Sequence, residues 1–417
     1  MIHRSSPPKT LAPVPKEWQP YTLDAAYTFV ATLPSSSHRY VIAARHASGE
    51  ICSVQKFTGI GSDLSKAKDC LKELRMLRHL RVHRNILCAY DMSYSIHENG
   101  RIADVYLYTE LPRSNLASIF KSRKNLTKAH VQYLMYQLCC AVRHIHSAGI
   151  IHGAIQPSNI LVDSDVSLRI CDFSNAQTWN GNSLARGSNP SLCTTGGSII
   201  YKAPELLLGV SKVSFAVDIW SIGCILAEFL NGAPLFDRND LPGQIRTLLA
   251  RLGKPSDDVL KRIASPQTVQ NIQAIRKQNP PAIRELFPTA NDAEMQLIHQ
   301  TLLWDPMARS ASTDLLDGLY FSQWRNTADE AVSHMAFRND AYLETSQDAI
   351  NQLIMSEVAS FHKMVRQAGH EGSREDGSRS SATRPSNFHH GQAQAALEIS
   401  YFDGSEEDGE FEWAPDE

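Results

Sequence analysis

Near residue 112 this chain changes its hydrophobic period, and that change limits what it can fold into. Before that point the apolar residues alternate. Tyr40-Val41-Ile42-Ala43-Ala44 and Ile51-Cys52-Ser53-Val54-Gln55-Lys56-Phe57 read as two strands of a hairpin turned at Ala47-Ser48-Gly49. Val105 to Tyr108 reads as another strand, and Leu71, Leu74, Leu77 and Leu80 give one helix. After residue 113 the spacing is helical. Residues 128–148 form an amphipathic helix, and Val217 to Leu230 is so apolar that it predicts a buried one. Residues 150–174, between them, read as two short strands and loops. A β-rich front joined to a helical body predicts an α+β fold of two lobes with a cleft between them.

Composition removes several function classes. The net charge is −3, and no Lys/Arg stripe with interleaved aromatics occurs, so no nucleic-acid partner is expected. No run of 18 apolar residues is present, so no membrane span is expected, and the proline-rich start is not a signal peptide. None of the eight cysteines forms a C-x-x-C pair, which fits reduced thiols and places the chain in cytoplasm or nucleus. Beyond about residue 368 the periodicity stops. The expected organisation is a flexible N-terminus (1–20), a small lobe (21–112), a large lobe (113–325), an extension packing back on the domain (326–368) and a disordered acidic tail (369–417). The tail's end carries eight carboxylates around Phe411 and Trp413.

The run His152-Gly153-Ala154-Ile155-Gln156-Pro157-Ser158-Asn159, followed by Asp172-Phe173-Ser174, resembles the H-R-D-L-K-P-x-N loop and D-F-G motif of protein kinases. Ala203-Pro204-Glu205, Asp218 on the apolar helix, and Arg309 after Trp304-Asp305-Pro306 continue the series in order. Leu77-Arg78-His79-Leu80, Thr109-Glu110-Leu111 and Ile145-His146-Ser147 resemble a MAP kinase, most of all the fungal cell-wall-integrity branch. The resemblance implies a bilobal protein-kinase fold, with Phe337 to Val365 as a C-terminal extension. It also implies ATP and Mg as ligands. Nucleotide would face Arg39, Gln55, Glu73, Thr109, Glu110, Pro112 and Asn115, and metal would sit at Asn159 and Asp172.

Measured against that pattern, the reactive groups are missing. Pro34, Ser36 and Arg39 stand at the glycines that let the backbone approach phosphates. Gln55 stands at the strand lysine and cannot neutralise phosphate charge; Lys56 beside it points to the other face. Pro112 has no N–H to give adenine. Ala154 replaces the general base, Gly153 its arginine neighbour and Gln156 the phosphate-facing lysine, and losing a positioned base typically costs roughly 10²–10⁴-fold. Thr194 and Thr195 occupy the activation segment without the T-x-Y pair. The retained set is supportive: His152, Phe173, Asp218 and the pair Glu205–Arg309.

These departures point to a pseudokinase regulator or scaffold in a MAP-kinase cascade. It would bind kinases or substrates by linear-motif docking at Leu126 and His130, beside Asp329 and Glu330. The alternative is an unconventional ATP-dependent Ser/Thr kinase using Arg39 as a substitute cation. A third reading keeps nucleotide as a structural ligand held through Asn159 and Asp172.

Overall fold

The structure, a computed structural model, describes residues 12–13, 22–23, 26–33, 40–111, 113–122, 126–179, 198–209, 213–275, 280–339 and 344–375. Pro34, Ser36, Arg39, Pro112, Thr194, Thr195 and everything after 375 lie outside the described residues.

A two-residue bridge comes first: β1 (Ala12–Pro13) pairs with β2 (Thr22–Leu23), and Leu23 is buried. The segment expected to be wholly flexible therefore contributes one contact to the small lobe. That lobe is a five-stranded antiparallel sheet of β3 (Tyr27–Thr32), β4 (Tyr40–His46), β5 (Ile51–Thr58), β6 (Ala89–Ile96) and β7 (Ile102–Glu110), in the order β3-β4-β5-β7-β6. The predicted hairpin is β4 and β5. Gly49 closes it at φ +95°, a conformation that costs glycine nothing.

Alternation sorts β5 by face. Cys52 and Val54 join Ile42, Ala44, Tyr106 and Tyr108 in a small outer cluster. Phe57 joins the main core, which includes helix α1 (Leu64–Leu80). Ser53 and Gln55 share the face of Phe57. Asp63 starts α1, its carboxylate accepting from the N–H groups of Ser65 and Lys66.

β8 (Ser114–Asn115) and α2 (Leu116–Lys121) lead into α3 (Lys128–Ser147), the predicted amphipathic helix. Four short strands follow: β9 (Ile150–Ile151), β10 (Ile160–Val162), β11 (Leu168–Ile170) and β12 (Gln177–Thr178). Three of them lie within residues 150–174, where two were expected; strands of two or three residues are too short to show a period. After α4 (Pro204–Leu207) comes α5 (Ala216–Asn231), buried over most of its length as its composition required. Helices α6 (Leu241–Leu252), α7 (Asp257–Ile263), α8 (Pro266–Ala274), α9 (Asp292–Thr301) and α10 (Ser312–Leu316) complete the large lobe.

The last helix, α11 (Gln347–Glu375), returns to the small lobe. Ile350, Ile354, Val358 and Phe361 form its buried stripe. Glu357 meets Arg78 at 2.7 Å and Arg75 at 3.4 Å on α1, and Gln347 donates to the Ile60 carbonyl at 2.7 Å. The helix runs past residue 368, where the tail was expected to begin. Apolar periodicity ends there, but the backbone helix does not.

Candidate active site

Asp218, on the first turn of α5, holds the catalytic loop from below. Its carboxylate accepts from the main-chain N–H of His152 at 2.9 Å, from that of Gly153 at 2.8 Å and from His146 Nε2 at 2.9 Å. Burial raises its pKa, but the His146 bond and charge and the Gly153 N–H outweigh that and leave it below the usual carboxylate range. His152 is fully buried. Its Nε2 donates to the Cys171 carbonyl at 3.2 Å and its Nδ1 accepts from Ala154 N–H at 3.3 Å, which fixes the neutral tautomer. Burial accordingly holds its pKa down. Phe173 packs edge-on to the ring at 4.9 Å.

Gly153 adopts φ +71°, so the residue replacing the loop arginine is also the one for which this turn is unstrained. Ala154 is buried, and its carbonyl accepts from Asn159 Nδ2 at 3.0 Å. Gln156 is buried too. Its Oε1 accepts from the Ser198 N–H at 2.6 Å, so it ties the loop to the end of the activation segment. The pocket beside this loop is lined by Gly153, Ala154, Gln156, Ser198, Tyr201 and Lys202 among others, and among the described residues no carboxylate lines it.

The upper wall shows the same redistribution. Gln55 lies opposite Val41 and Leu107, on the face turned to α1. Lys56 lies on the other face, buried, with Nζ 2.8 Å from Asp104 and over the Tyr106 ring. It is spent on the outer cluster. Glu73 is buried on α1. Thr109 is buried at the end of β7, and its hydroxyl donates to the Glu110 carbonyl at 3.2 Å. The Glu110 carboxylate accepts from Cys88 N–H at 3.0 Å and pairs with Arg169 at 2.8 Å. Asn115, expected to face nucleotide, instead caps α2, its Oδ1 accepting from Ser118 N–H at 2.9 Å.

The expected metal pair is occupied from within. Asp172 takes a left-handed conformation (φ +64°), and its Oδ1 accepts the Ser174 hydroxyl at 2.6 Å and the Ser174 N–H at 3.3 Å. Asn159 is buried; its amide nitrogen is held by Ala154 and its Oδ1 accepts from Ser158 at 3.4 Å. Among the described residues no cluster of three metal-binding side chains occurs. Mg²⁺ needs several oxygens in near-octahedral array. Kinase-type Mg²⁺ sites meet that need with one or two protein ligands, substrate phosphates and water, and here Asn159 and Asp172 are the two side chains that would contribute, both engaged within the chain.

One functional side chain escaped the sequence reading. Lys72, buried on α1, donates from Nζ to the Ser174 carbonyl at 2.9 Å and lies 3.4 Å from Asp69. No local signal marks it, because its partner lies 102 residues along the chain.

Support residues are where the motifs require. Arg309 holds Glu205 in a fork, Nη1 to Oε1 at 2.7 Å and Nη2 to Oε2 at 2.8 Å, over the ring of Trp220. A protein kinase domain matches residues 37–321. Mitogen-activated protein kinase SLT2/MPK1 of Saccharomyces cerevisiae is 34% identical over 352 residues, 84% of this chain and 72% of that one. The chain belongs to the MAP kinases. Mitogen-activated protein kinase spm1 of Schizosaccharomyces pombe is 35% identical over 350 residues, 82% of this chain and 81% of its own. Serine/threonine-protein kinase KDX1 of Saccharomyces cerevisiae is 32% identical over 352 residues, 84% and 81%.

At the expected docking groove, Leu126 packs partly buried against the core and His130 sits in the first turn of α3, its ring accepting from Thr127 N–H. The acidic residues beside them are not an open patch. Asp329 pairs with Arg84, and Glu330 is buried between Arg143 at 2.9 Å and Arg325. Glu330 anchors the start of the extension to α3 through Arg143, and Asp329 anchors it to Arg84, just after α1, so both carboxylates are engaged within the chain.

Proposed function

We propose that this MAP kinase relative transfers no phosphate and acts as a binding regulator or scaffold in a MAP-kinase cascade, in cytoplasm or nucleus. The observation that carries this reading is that, among the described residues, no carboxylate lines the pocket around Ala154. A substrate hydroxyl there has no base to take its proton. Supporting it, the cations at the strand and loop positions are replaced by Gln55 and Gln156, and Gln156 is already bound to Ser198. Its partners are upstream kinases, active MAP kinases or their substrates, received as short basic-hydrophobic motifs near Leu126 and His130. With Glu330 and Asp329 committed to arginines, apolar contact contributes more than charge to that docking.

The test is phosphotransfer by the purified full chain with labelled ATP, Mg²⁺ or Mn²⁺, and a general protein substrate. No incorporation above that of Asp172→Ala is expected. Incorporation abolished by Asp172→Ala would establish instead an active, unconventional kinase, and its loss in Arg39→Ala would assign the substitute cation.

A further inference from the structure

In the family's pattern a lysine on β5 would pair with Glu73 and hold α1 against the cleft. Here that lysine is Gln55, yet α1 is packed against the segment Phe173–Asn175, with Glu73 and Lys72 both buried. One tie between α1 and that segment runs through Lys72. Lys72 Nζ reaches 102 residues along the chain to the Ser174 carbonyl at 2.9 Å. The same serine's hydroxyl and N–H both turn back onto Asp172 Oδ1, at 2.6 and 3.3 Å. One residue thus receives a positive charge on one side and satisfies a carboxylate on the other. A glycine at this position could accept the lysine through its carbonyl but has no hydroxyl to offer Asp172.

We propose that Lys72 and Ser174 form a built-in latch that takes the place of a divalent cation. The ammonium ties α1 to the segment Phe173–Asn175, and the hydroxyl occupies the carboxylate that a metal would otherwise claim. This half of the cleft then keeps one arrangement with neither metal nor nucleotide bound. A binding protein gains from this a constant surface, independent of nucleotide supply. The inference goes beyond the loss of phosphotransfer and does not rest on it, because the base position and the latch involve different residues.

Hydrogen exchange on the full chain tests it, read separately over Leu64–Leu80 and Phe173–Ala176. Lys72→Met keeps the buried stem and removes the charge; exchange in both segments should rise together, by about tenfold, the size expected for losing one charged hydrogen bond. Lys72→Arg keeps a cation and donor and should retain most of the protection. Ser174→Ala should loosen Phe173–Ala176 and leave α1 latched, since the carbonyl remains. Wild-type exchange should not respond to millimolar Mg²⁺ with or without ATP, whereas Ser174→Gly should gain a response. Should Lys72→Met fail to fold, Lys72→Arg and Ser174→Ala still decide. Unchanged exchange in Lys72→Met, equal loosening of α1 in Ser174→Ala, or added protection of wild-type Asp172 by Mg²⁺ and ATP would each overturn the latch.

Discussion

The side-chain nitrogen of Asn159 donates to the main-chain carbonyl of Ala154 at 3.0 Å, bracing the loop across the position where a kinase carries its base. The acceptor is backbone, so the brace is indifferent to the side chain at 154. That is how the loop keeps its shape without its reactive group. Asn159→Ala should then act on stability: it leaves a buried carbonyl unpaired and should cost about 1–3 kcal/mol in urea unfolding. An unchanged midpoint would mean the brace is not structural.

The fork between Arg309 and Glu205 is nearly inaccessible to water, with side-chain exposures of 0% and 3%. Removing one partner strands a buried charge. Arg309→Met should lower unfolding free energy by about 3–5 kcal/mol, seen as a large drop in melting temperature. Glu205→Gln should cost a comparable amount, because it leaves the buried Arg309 charge uncompensated and turns an amide NH₂ toward one of its donors.

Much of this was legible in the sequence, and the limits are physical. Long periodic elements such as α3 and α5 appear where their apolar spacing puts them, and Gln55 and Lys56 fall on opposite faces by alternation alone. Motif residues held by backbone partners, His152 and Asp218, also sit as expected. What escaped were side chains whose partners are remote in sequence. Nothing local says that Lys72 bonds Ser174 or that Glu330 reaches Arg143, whereas the Asn115 cap, three residues from Ser118, was a local signal that the family pattern overrode. A polar residue's type tells what it can bond, and only the fold tells which partner arrives.

Three histidines set an acid limit. Burial, and then the neighbouring His144 ring at 4.6 Å, push His83 down to about 3, and burial also holds His144 and His152 low. Unfolded imidazole takes a proton near pH 6.5, which the folded chain refuses. The unfolded state binds more protons below that pH, so stability falls on acidification. For His83 the slope is about 1.4 kcal/mol per pH unit between roughly pH 6 and pH 4. His83→Gln should reduce the slope by about one proton, measured by urea unfolding across that range. Asp218 acts in a lower window: its depressed pKa contributes stability above the unfolded carboxylate value, lost only as pH falls through the folded one.

The returning helix α11 gives a third stability test. Phe361 is fully buried between α11 and the small lobe. Phe361→Ala should cost about 3–5 kcal/mol through lost burial and the cavity left behind. The exposed ion pair of Arg101 with Asp348, at the start of the same helix, should be worth less than about 1 kcal/mol by Asp348→Asn. Comparable effects from the two variants would contradict the burial assigned to the stripe.

Glu330 separates docking from support. If it faced partners, Glu330→Gln would weaken binding of a basic-hydrophobic peptide and spare stability. Placed between Arg143 and Arg325, and accepting also from Tyr136 at 3.3 Å, it should do the reverse. Arg143 loses its counter-charge, while the more exposed Arg325 keeps Asp317 at 2.8 Å, so the variant should lose about 1–3 kcal/mol in urea unfolding. Peptide affinity, followed by fluorescence anisotropy below the unfolding transition, should change less than about threefold, the scale of a charge screened from the partner. Leu126→Ala, at the groove itself, should show the opposite pattern: weaker peptide binding at near-constant stability, because its side chain is only partly buried against the core. A large affinity loss in Glu330→Gln with the unfolding midpoint intact would return this carboxylate to the docking surface.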